Sequence, residues 1–361
     1  MKRFLALILA AVMLLGLLTG CAAKKDAAAG DTVSFTDDLG RTVQLPQELT
    51  RIAPSGPVAG MILATIAPEY LVSIPETPSS AQAPYLPESL LTLPTTGQMF
   101  GKKSTLNLET LLACEPQAII DLGDKRSDTA ESLDALQEQI GIPVIFVDAE
   151  VENMDKMFRT LGSILAGKAE RGNALADFAA ETIAMAAENR EKITDAERLR
   201  VMYTAEADGL GTNARGSSQA QVLELVGAEN AIELPEVSNR GGGNPIDLEQ
   251  LYNFDPDVIV FAAGSIYESV ADDPAWQGLS AIEAGRYYEV PALPYNWLSN
   301  PPSVNMLLGV WWLGNLLYPQ YYDYDMAEKA QEIFALLWDY TLTGDEAAAM
   351  LERSSLKPAN A

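Results

Sequence analysis

Apolar and polar residues follow two different periods along this chain, and the period changes many times between its ends. Residues 31–52 alternate around a turn at Gly40, which predicts a β-hairpin. Short β-branched runs then alternate with stretches of helical spacing up to residue 150, and the same pattern returns after residue 192. Alternating strands and helices are typical of parallel sheets covered by helices. The pattern therefore predicts an α/β fold with two lobes, residues 31–150 and 193–353.

A segment without proline, residues 151–192, lies between the two predicted lobes. It has the pattern of a short helix, a break at Gly167 and a long helix over residues 168–192. At 1.5 Å per residue the long helix spans roughly 35 Å. Its sizeable apolar side chains form one stripe, which comprises Leu175, Phe178 and Met185. We therefore expect a rigid connecting helix that packs on one side and joins the lobes.

The segments 107–121 and 247–261 carry the same pattern. Each has a capping residue, an acid in the first turn, a short amphipathic helix, a proline that ends it and a β-branched strand. The matching positions are Leu108/Leu248, Glu109/Glu249, Leu111/Leu251, Pro116/Pro256 and Ile119/Ile259. One supersecondary unit is thus used once in each lobe, which indicates that the lobes are similar.

Composition removes several classes of function. The chain contains no histidine and only two cysteines, so it lacks the residues for a Ser-His-Asp triad, a histidine zinc site or a histidine-ligated haem. No close pair of carboxylates falls in a predicted cleft loop, and we expect no catalysis, no cofactor and no bare metal site. The net charge of −26 repels phosphate backbones, which argues against a nucleic-acid partner.

The N-terminal residues have the pattern of an export signal. Two basic residues precede the apolar run 4–18, which is short for a membrane span. Leu-Thr-Gly-Cys at residues 18–21 resembles a bacterial lipobox, which implies cleavage before Cys21 and a lipid on its sulfur. The alternative is a plain secretory signal with an incidental cysteine. We expect a signal peptide at residues 1–20, a lipid-anchored tether at 21–30 and, at the other end, a flexible tail at 354–361.

Four motifs in this order resemble the substrate-binding lipoproteins of ABC importers for iron chelates and cobalamin. They are Thr-Asp-Asp-Leu-Gly-Arg-Thr-Val at 36–43, the two repeated segments at 107–121 and 247–261, and the stretch 300–319 that opens Asn-Pro-Pro-Ser-Val-Asn. The resemblance covers nearly the whole mature chain. It implies two Rossmann-like lobes joined by one long α-helix, with the ligand cleft between them. It also implies a monomer on the outer face of the bacterial cytoplasmic membrane.

In that family one glutamate on the outer rim of each lobe pairs with arginines of the permease. Glu109 and Glu249 fall on the matching positions. Their equivalence in the internal repeat agrees with this role, because a pair of similar anions suits a two-fold symmetric transporter. The alternative is that each glutamate only complements the dipole of its helix.

Loops at the ends of predicted strands supply candidate ligand contacts. Ser55 and Gly56 follow the first strand of the first lobe and should face the cleft. Arg215 and Ser217 lead into a helix N-terminus, where a guanidinium and backbone amides suit an anionic group. Ser217 as an ordinary N-cap is the alternative.

Three further candidates lie in the second lobe. Arg240 precedes three glycines, and a plain flexible connection is the alternative there. Tyr295 and Trp297 stand in a polar loop before a helix, from which the family often lines its cleft; packing beneath the loop is the alternative.

Arginines and aromatic residues on an acidic protein favour an anionic, ring-bearing or chelated ligand. Ferric siderophores, haem and cobalamin fit that description. A related branch of the family takes molybdate or tungstate, which two arginine loops would also suit. A surface receptor on the same two-lobed fold, without a transport role, is the remaining alternative.

Overall fold

The computed structural model describes residues 31–100 and 104–355. The predicted signal peptide, the tether with Cys21 and residues 356–361 lie outside the described residues. Ser354, the first residue of the predicted tail, is buried, and both its backbone carbonyl and its side-chain hydroxyl form hydrogen bonds. The Trp312 indole donates to the Ser354 carbonyl at 2.8 Å, and the Ser354 hydroxyl donates to the Glu289 carbonyl.

The first lobe begins with the predicted hairpin. Strands β1 (Thr32–Thr36) and β2 (Thr42–Pro46) pair antiparallel. Val43 and Leu45 are buried while their neighbours are exposed, as the alternation predicts. The turn is closed by the buried carboxylate of Asp37, which accepts hydrogen bonds from the amides of Leu39 and Arg41.

A parallel sheet forms the centre of the first lobe. Its strands are β3 (Ile52–Pro54), β4 (Ala118–Gly123) and β5 (Val144–Asp148), in that order. The helices around it are α1 (Pro57–Ile66), α2 (Leu108–Ala113) and α3 (Thr129–Ile140). The short apolar run at residues 71–74 has the composition of a strand but forms only two isolated bridges. Prolines 75, 78, 84, 87 and 94 follow it, and proline cannot donate to a strand ladder.

The connecting segment has the predicted break and the predicted long helix. Helices α4 (Met154–Ile164) and α5 (Ala169–Lys192) flank Gly167, whose φ is +68°. The buried face of α5 differs from the predicted stripe, since Phe178 and Met185 are only half-buried. The residues buried along α5 are mainly small, namely Gly172, Leu175, Ala176, Ala179, Thr182, Ala186 and Asn189.

The second lobe holds a larger, mixed sheet. Its strands are β6 (Arg200–Thr204), β7 (Gly211–Thr212), β8 (Glu229–Asn230), β9 (Asn244–Pro245), β10 (Val258–Phe261) and β11 (Tyr287–Glu289). The order is β11-β10-β6-β7-β9, with β8 also pairing with β6. β7 and β9 run antiparallel, and these two-residue strands carry no period that a sequence pattern could reveal. The helices are α6 (Gln221–Leu225), α7 (Leu248–Phe254) and α8 (Ser280–Glu283).

Three C-terminal helices tie the lobes together: α9 (Asn305–Leu317), α10 (Met326–Trp338) and α11 (Gly344–Leu351). α9 packs against the connecting helix, where the Trp311 indole donates to the Thr182 hydroxyl at 2.9 Å. The Arg171 guanidinium, on α5, donates to the Thr65 carbonyl on α1 and to the Leu336 carbonyl on α10. One continuous hydrophobic core therefore includes residues of both lobes as well as the connecting helix.

Candidate ligand cleft and docking faces

A cavity of about 680 Å³ lies between the two lobes. Its first wall comes from the carboxyl ends of β3 and β4, and the second wall comes from loops of the second lobe. The lining residues of the first lobe are 55–59, Glu76, Gln98, Phe100 and 121–126, and those of the second are Ser218, Gln219, Asn239, Gly241 and 300–302. We refer to this cavity as the cleft.

The floor of the cleft holds a buried serine–carboxylate pair. Because β3 and β4 are parallel and Pro54 pairs with Ile120, Ser55 and Asp121 leave the sheet side by side. The Ser55 hydroxyl donates to the Asp121 carboxylate, and both residues are buried. Burial raises the pKa of Asp121, and the hydrogen bond from Ser55 opposes this effect. The surroundings at the floor of the cleft thus favour the Asp121 carboxyl group in a protonated or hydrogen-bonded state.

The cationic groups of the cleft come from the loop after β4. Lys125 and Arg126 line the cavity, and the side chain of each is 47% exposed. The Arg126 guanidinium lies over the ring of Phe100, 4.2 Å from its centroid. Lys125 Nζ lies 3.4 Å from a carboxylate oxygen of Asp148. Burial, with Asp148 nearby, raises the pKa of Asp124.

The wall from the second lobe is polar but uncharged. The Ser218 amide donates to the Asn239 side chain at 2.9 Å, and the Asn300 amide donates to the Gln219 side chain at 3.2 Å. Gln219 also donates to the Asn239 carbonyl at 3.4 Å. These contacts hold the amide side chains in place, so the wall offers oriented donors and acceptors to a ligand.

The structure brings only Ser55 and Gly56, of the predicted ligand contacts, into the lining of the cleft. Arg215 instead pairs with Glu229 at 3.0 Å and with Glu233 at 3.9 Å. Ser217 is a buried N-cap whose hydroxyl donates to the Ser238 carbonyl at 2.9 Å, as the alternative interpretation expected.

Arg240 lines a separate open groove of about 720 Å³ beside Glu206 and Asp208, although both of its neighbours in sequence line the cleft. Trp297 is fully buried, and its indole donates to the Leu293 carbonyl at 2.9 Å. It packs against Trp312, which agrees with the alternative of packing beneath the loop. Tyr295 lines a smaller cavity next to the cleft.

Sequence reasoning missed Asp121, Lys125 and Arg126. The signal that could have found them is their place in the chain, because they end or directly follow a buried parallel strand. Ligands of open α/β sheets bind at the carboxyl ends of the strands. The prediction of Arg215 as a ligand contact could not take account of its ion pairs. Glu229 and Glu233 are distant from Arg215 in the sequence and approach it only in the folded protein.

The two repeated segments form matching exposed faces on the two lobes. Asn107 caps α2 by accepting from the Thr110 amide at 3.0 Å, and Asp247 caps α7 through a reciprocal capping box with Gln250. Glu109 and Glu249 lie in the first turns and are exposed. Neither forms an ion pair with another of the described residues.

The equivalence of these faces extends to the backbone. The acid before each proline, Glu115 or Asp255, has a positive φ of 49° or 37°. Its carbonyl accepts a hydrogen bond from an arginine at the start of a strand, Arg51 or Arg200, at 3.1 Å in both lobes. The two faces are therefore built alike down to the turn that ends each helix.

Each face also carries an exposed apolar side chain one turn after its glutamate. Leu112 is 44% exposed and Tyr252 is 41% exposed. They occupy equivalent positions of the repeat, and they are two of the four large apolar residues that stand out as exposed in the part of the chain the structure describes. We refer to Glu109 with Leu112, and Glu249 with Tyr252, as the docking faces.

Residues 31–100 and 104–355 contain no group of three or more acids and cysteines placed to hold a metal ion. None of the helices they form combines the length and the apolarity that crossing a membrane requires.

The chain matches the model of a known protein family. The model of the periplasmic binding protein family matches residues 53–293. An ABC transporter solute-binding protein from Sulfurospirillum deleyianum has a similar structure, with 27% identity and a TM-score of 0.80, over 88% of this chain and 99% of that one. Comparison with curated protein sequences gave no match.

Two further structures share the fold at lower identity. A periplasmic solute-binding protein from Veillonella parvula has 21% identity and a TM-score of 0.74, over 90% of this chain and 98% of that one. The molybdate periplasmic binding protein MolA of Haemophilus influenzae, bound to molybdate, has 19% identity and a TM-score of 0.67, over 86% and 99% of the two chains.

Proposed function

The chain belongs to the periplasmic binding protein family, and on that ground we propose that it captures a metal chelate in its cleft and delivers it to the permease of an ABC importer. The observation that carries the choice of ligand is the cleft itself, a cavity of about 680 Å³ with mixed charge. Candidate chelates are a ferric siderophore, haem and cobalamin. The protein performs no chemistry on them.

The size and charge of the cleft favour a chelate over molybdate or tungstate. A tetrahedral oxyanion has five heavy atoms and would occupy a small part of the cavity. The Glu76 carboxylate lines the same space and would repel a bare dianion. The oxyanion is kept as the second candidate because MolA, which shares the fold, is bound to molybdate.

The two walls of the cleft contact such a ligand through different kinds of side chain. Lys125 and Arg126 attract anionic groups, and the Arg126–Phe100 pair offers a flat surface for a conjugated ring. The opposite wall presents side-chain amides, which hydrogen-bond neutral oxygens and N–H groups of an organic shell. A chelate with a mixed polar periphery satisfies both walls.

We place the protein on the outer face of the bacterial cytoplasmic membrane. Residues 1–20 act as a signal peptide, a lipid on Cys21 anchors the mature chain, and residues 21–30 form the tether. The protein acts as a monomer. Its docking faces meet the permease, with Glu109 and Glu249 pairing with arginines and with Leu112 and Tyr252 packing beside them.

Thermal melting of residues 31–361 against a panel tests the ligand. The panel contains ferric catecholate and hydroxamate siderophores, haem, cobalamin, molybdate and tungstate. A ligand at a hundredfold excess over its dissociation constant adds about 2.7 kcal/mol, which raises the melting temperature by roughly 5 °C for a protein of this size. A shift with one chelate supports the proposal. A shift with the oxyanions alone selects the second candidate, and no shift favours a surface receptor without a transport role.

A further inference from the structure

We infer that the cleft has an apolar side pocket that takes one aryl or short alkyl arm of the ligand. The side pocket is a cavity of about 110 Å³ whose apolar walls include Met61, Ala64, Ile74, Leu86 and Leu90. The inference rests on the proposed function in so far as the arm belongs to the captured chelate.

The side pocket adjoins the cleft. Four residues line both cavities, namely Pro57, Glu76, Asn300 and Pro301. From this mouth the pocket extends along α1, which contributes Pro57, Gly60, Met61 and Ala64 to its lining, a helical spacing that corresponds to one face. A group attached to a ligand in the cleft can therefore enter the pocket without a change of fold.

The outer wall comes from the proline-rich segment. Residues 74–76, Pro78, Gln82, Leu86 and Leu90 of this segment line the pocket together with α1. This segment forms only short 3-10 turns, Ala83–Tyr85 and Glu88–Thr92, and no strand. Pro75 of this segment packs against Gly60 of α1, where an added Cβ would lie 3.0 Å from the proline ring, and the side pocket lies beside this contact.

Packing density argues that this space has a use. Protein interiors are packed as densely as organic crystals, and voids larger than a water molecule are few. An apolar cavity of about 150 Å³ stays dry and binds benzene. A pocket of about 110 Å³ accordingly has room for one ring or a short branched chain, and excludes a second ring.

The polar groups that line the side pocket determine which polar substituents the ligand's arm can have. Tyr295 lines it, and the Tyr295 hydroxyl has no hydrogen-bond partner among residues 31–100 and 104–355. Burial, with Glu76 nearby, raises the pKa of Tyr295 to about 12, so the hydroxyl remains a donor at neutral pH. The side pocket therefore suits an apolar arm with one hydrogen-bond acceptor, such as a phenol or an aryl ether.

Two iron chelates that differ only in the arm test the inference. The tris complexes of Fe³⁺ with acetohydroxamate and with benzohydroxamate have the same charge and the same coordinating atoms, but each ligand carries a methyl group in the first and a phenyl ring in the second. Calorimetric titration of the purified chain should give a dissociation constant at least tenfold lower for the benzohydroxamate complex. Ala64→Leu, which fills the pocket, should abolish this preference and leave the affinity for the acetohydroxamate complex unchanged.

Matched controls separate the pocket from general effects of the substitution. Ala180→Leu adds the same atoms on the exposed face of α5 and should preserve the preference. Tyr295→Phe keeps the shape of the pocket and should weaken binding of free phenol more than binding of benzene. Equal affinity of the unaltered protein for the two complexes would overturn the inference, as would an equal loss for both in Ala64→Leu.

Failure of the proposed function gives a different result. If neither complex binds and no chelate of the melting panel stabilises the protein, metal-chelate capture is wrong, and free phenol then decides whether the pocket is a site. Stabilisation of the protein by phenol that Ala64→Leu removes and Ala180→Leu keeps supports the pocket, whereas no stabilisation overturns it.

Discussion

At the scale of single residues, the cleft owes its character to a few charged side chains whose partners set what they can do. Arg126 and Arg215 are both arginines in loops of an acidic protein, yet of the two only Arg126 lines the cleft. Arg215 pairs with Glu229 at 3.0 Å and with Glu233 at 3.9 Å, whereas Arg126 has only the more distant Asp128 at 3.9 Å and lies over Phe100 at the cleft. The sequence shows the residue types but not these pairings, which explains why it located Ser55 and Gly56 but missed the cations.

Arg126 should therefore contribute to ligand affinity. Arg126→Ala removes the charge and the surface that it forms with Phe100, and a contact of this kind is worth about 1–2 kcal/mol. We expect the dissociation constant of an anionic chelate to rise about tenfold. Arg159→Ala is the control, because Arg159 pairs with Asp177 at 2.7 Å on the exposed face of α4 and α5. Calorimetric titration at two salt concentrations measures both; an unchanged constant for Arg126→Ala would remove this residue from the site.

Asp121 gives a stability effect that depends on pH. Burial raises its pKa above the ordinary value of 3.8. At a pH between the ordinary pKa of the unfolded chain and the raised pKa of the folded protein, Asp121 keeps its proton in the folded protein and has lost it in the unfolded chain. The free energy of unfolding therefore decreases as the pH rises through this range. Asp121→Asn cannot ionise, and we expect its melting temperature to increase relative to the unaltered protein as the pH rises from 3.5 to 7.

Calorimetry across that pH range provides the check. Asp272→Asn changes an exposed carboxylate that forms no ion pair within the described part of the chain, and its melting difference should stay flat. If the melting-temperature difference between Asp121→Asn and the unaltered protein also stays constant across this pH range, the Asp121 carboxyl is not in the buried state described above.

At the scale of elements, long and strongly patterned segments were predictable and short ones were not. The hairpin, the long helix α5 and both repeated helix–strand units agree with the sequence pattern. The two-residue strands β7, β8 and β9 have no period to detect, and the short apolar run at residues 71–74 forms only isolated bridges before a series of prolines. Small residues on α5 gave no apolar stripe, although they form its buried face.

The small residues of the connecting segment make their own prediction. A Cβ at Gly172 would lie 2.7 Å from the Gly162 Cα and 2.7 Å from the Phe158 carbonyl oxygen, so α4 and α5 approach each other at two glycines. Gly172→Ala should destabilise the protein by about 1–3 kcal/mol through overpacking, despite the better helix propensity of alanine. Gly344→Ala, in the first turn of α11 with no atom within 4 Å of its added Cβ, should be neutral or slightly stabilising. Denaturant unfolding compares the two; equal stabilities would contradict the close approach.

At the scale of the whole molecule, the fold class and the family resemblance are confirmed. The α/β architecture is observed, and the periplasmic binding protein model covers residues 53–293. The sequence did not reveal how firmly the lobes are joined. The C-terminal helices and the Arg171 hydrogen bonds connect both lobes besides α5, and these contacts join segments far apart in the chain. Periodicity predicts which face of a helix is buried, but not which distant helix will cover it.

The repeat places one docking face on each lobe, and this arrangement leads to a prediction about transport. The permease of an ABC importer that presents two similar halves would meet two similar faces, each with an exposed glutamate that pairs with none of the other described residues and with an exposed apolar residue. Glu109→Arg combined with Glu249→Arg should abolish uptake of the chelate, because repulsion replaces attraction at both contacts. Affinity for the free chelate should not change, since neither residue lines the cleft.

Uptake by cells in which this chain is the sole binding protein, together with calorimetric titration of the purified variants, separates the possible outcomes. Glu131→Arg with Glu283→Arg makes the same charge change on exposed helix positions, one in each lobe, and should preserve uptake. Leu112→Ala with Tyr252→Ala keeps both glutamates and should reduce uptake without abolishing it, because it removes only apolar contact area. If the Glu109→Arg, Glu249→Arg variant loses chelate affinity, the two glutamates act on the site or the fold. If the control pair abolishes uptake equally, general charge and not these two faces governs the encounter with the permease.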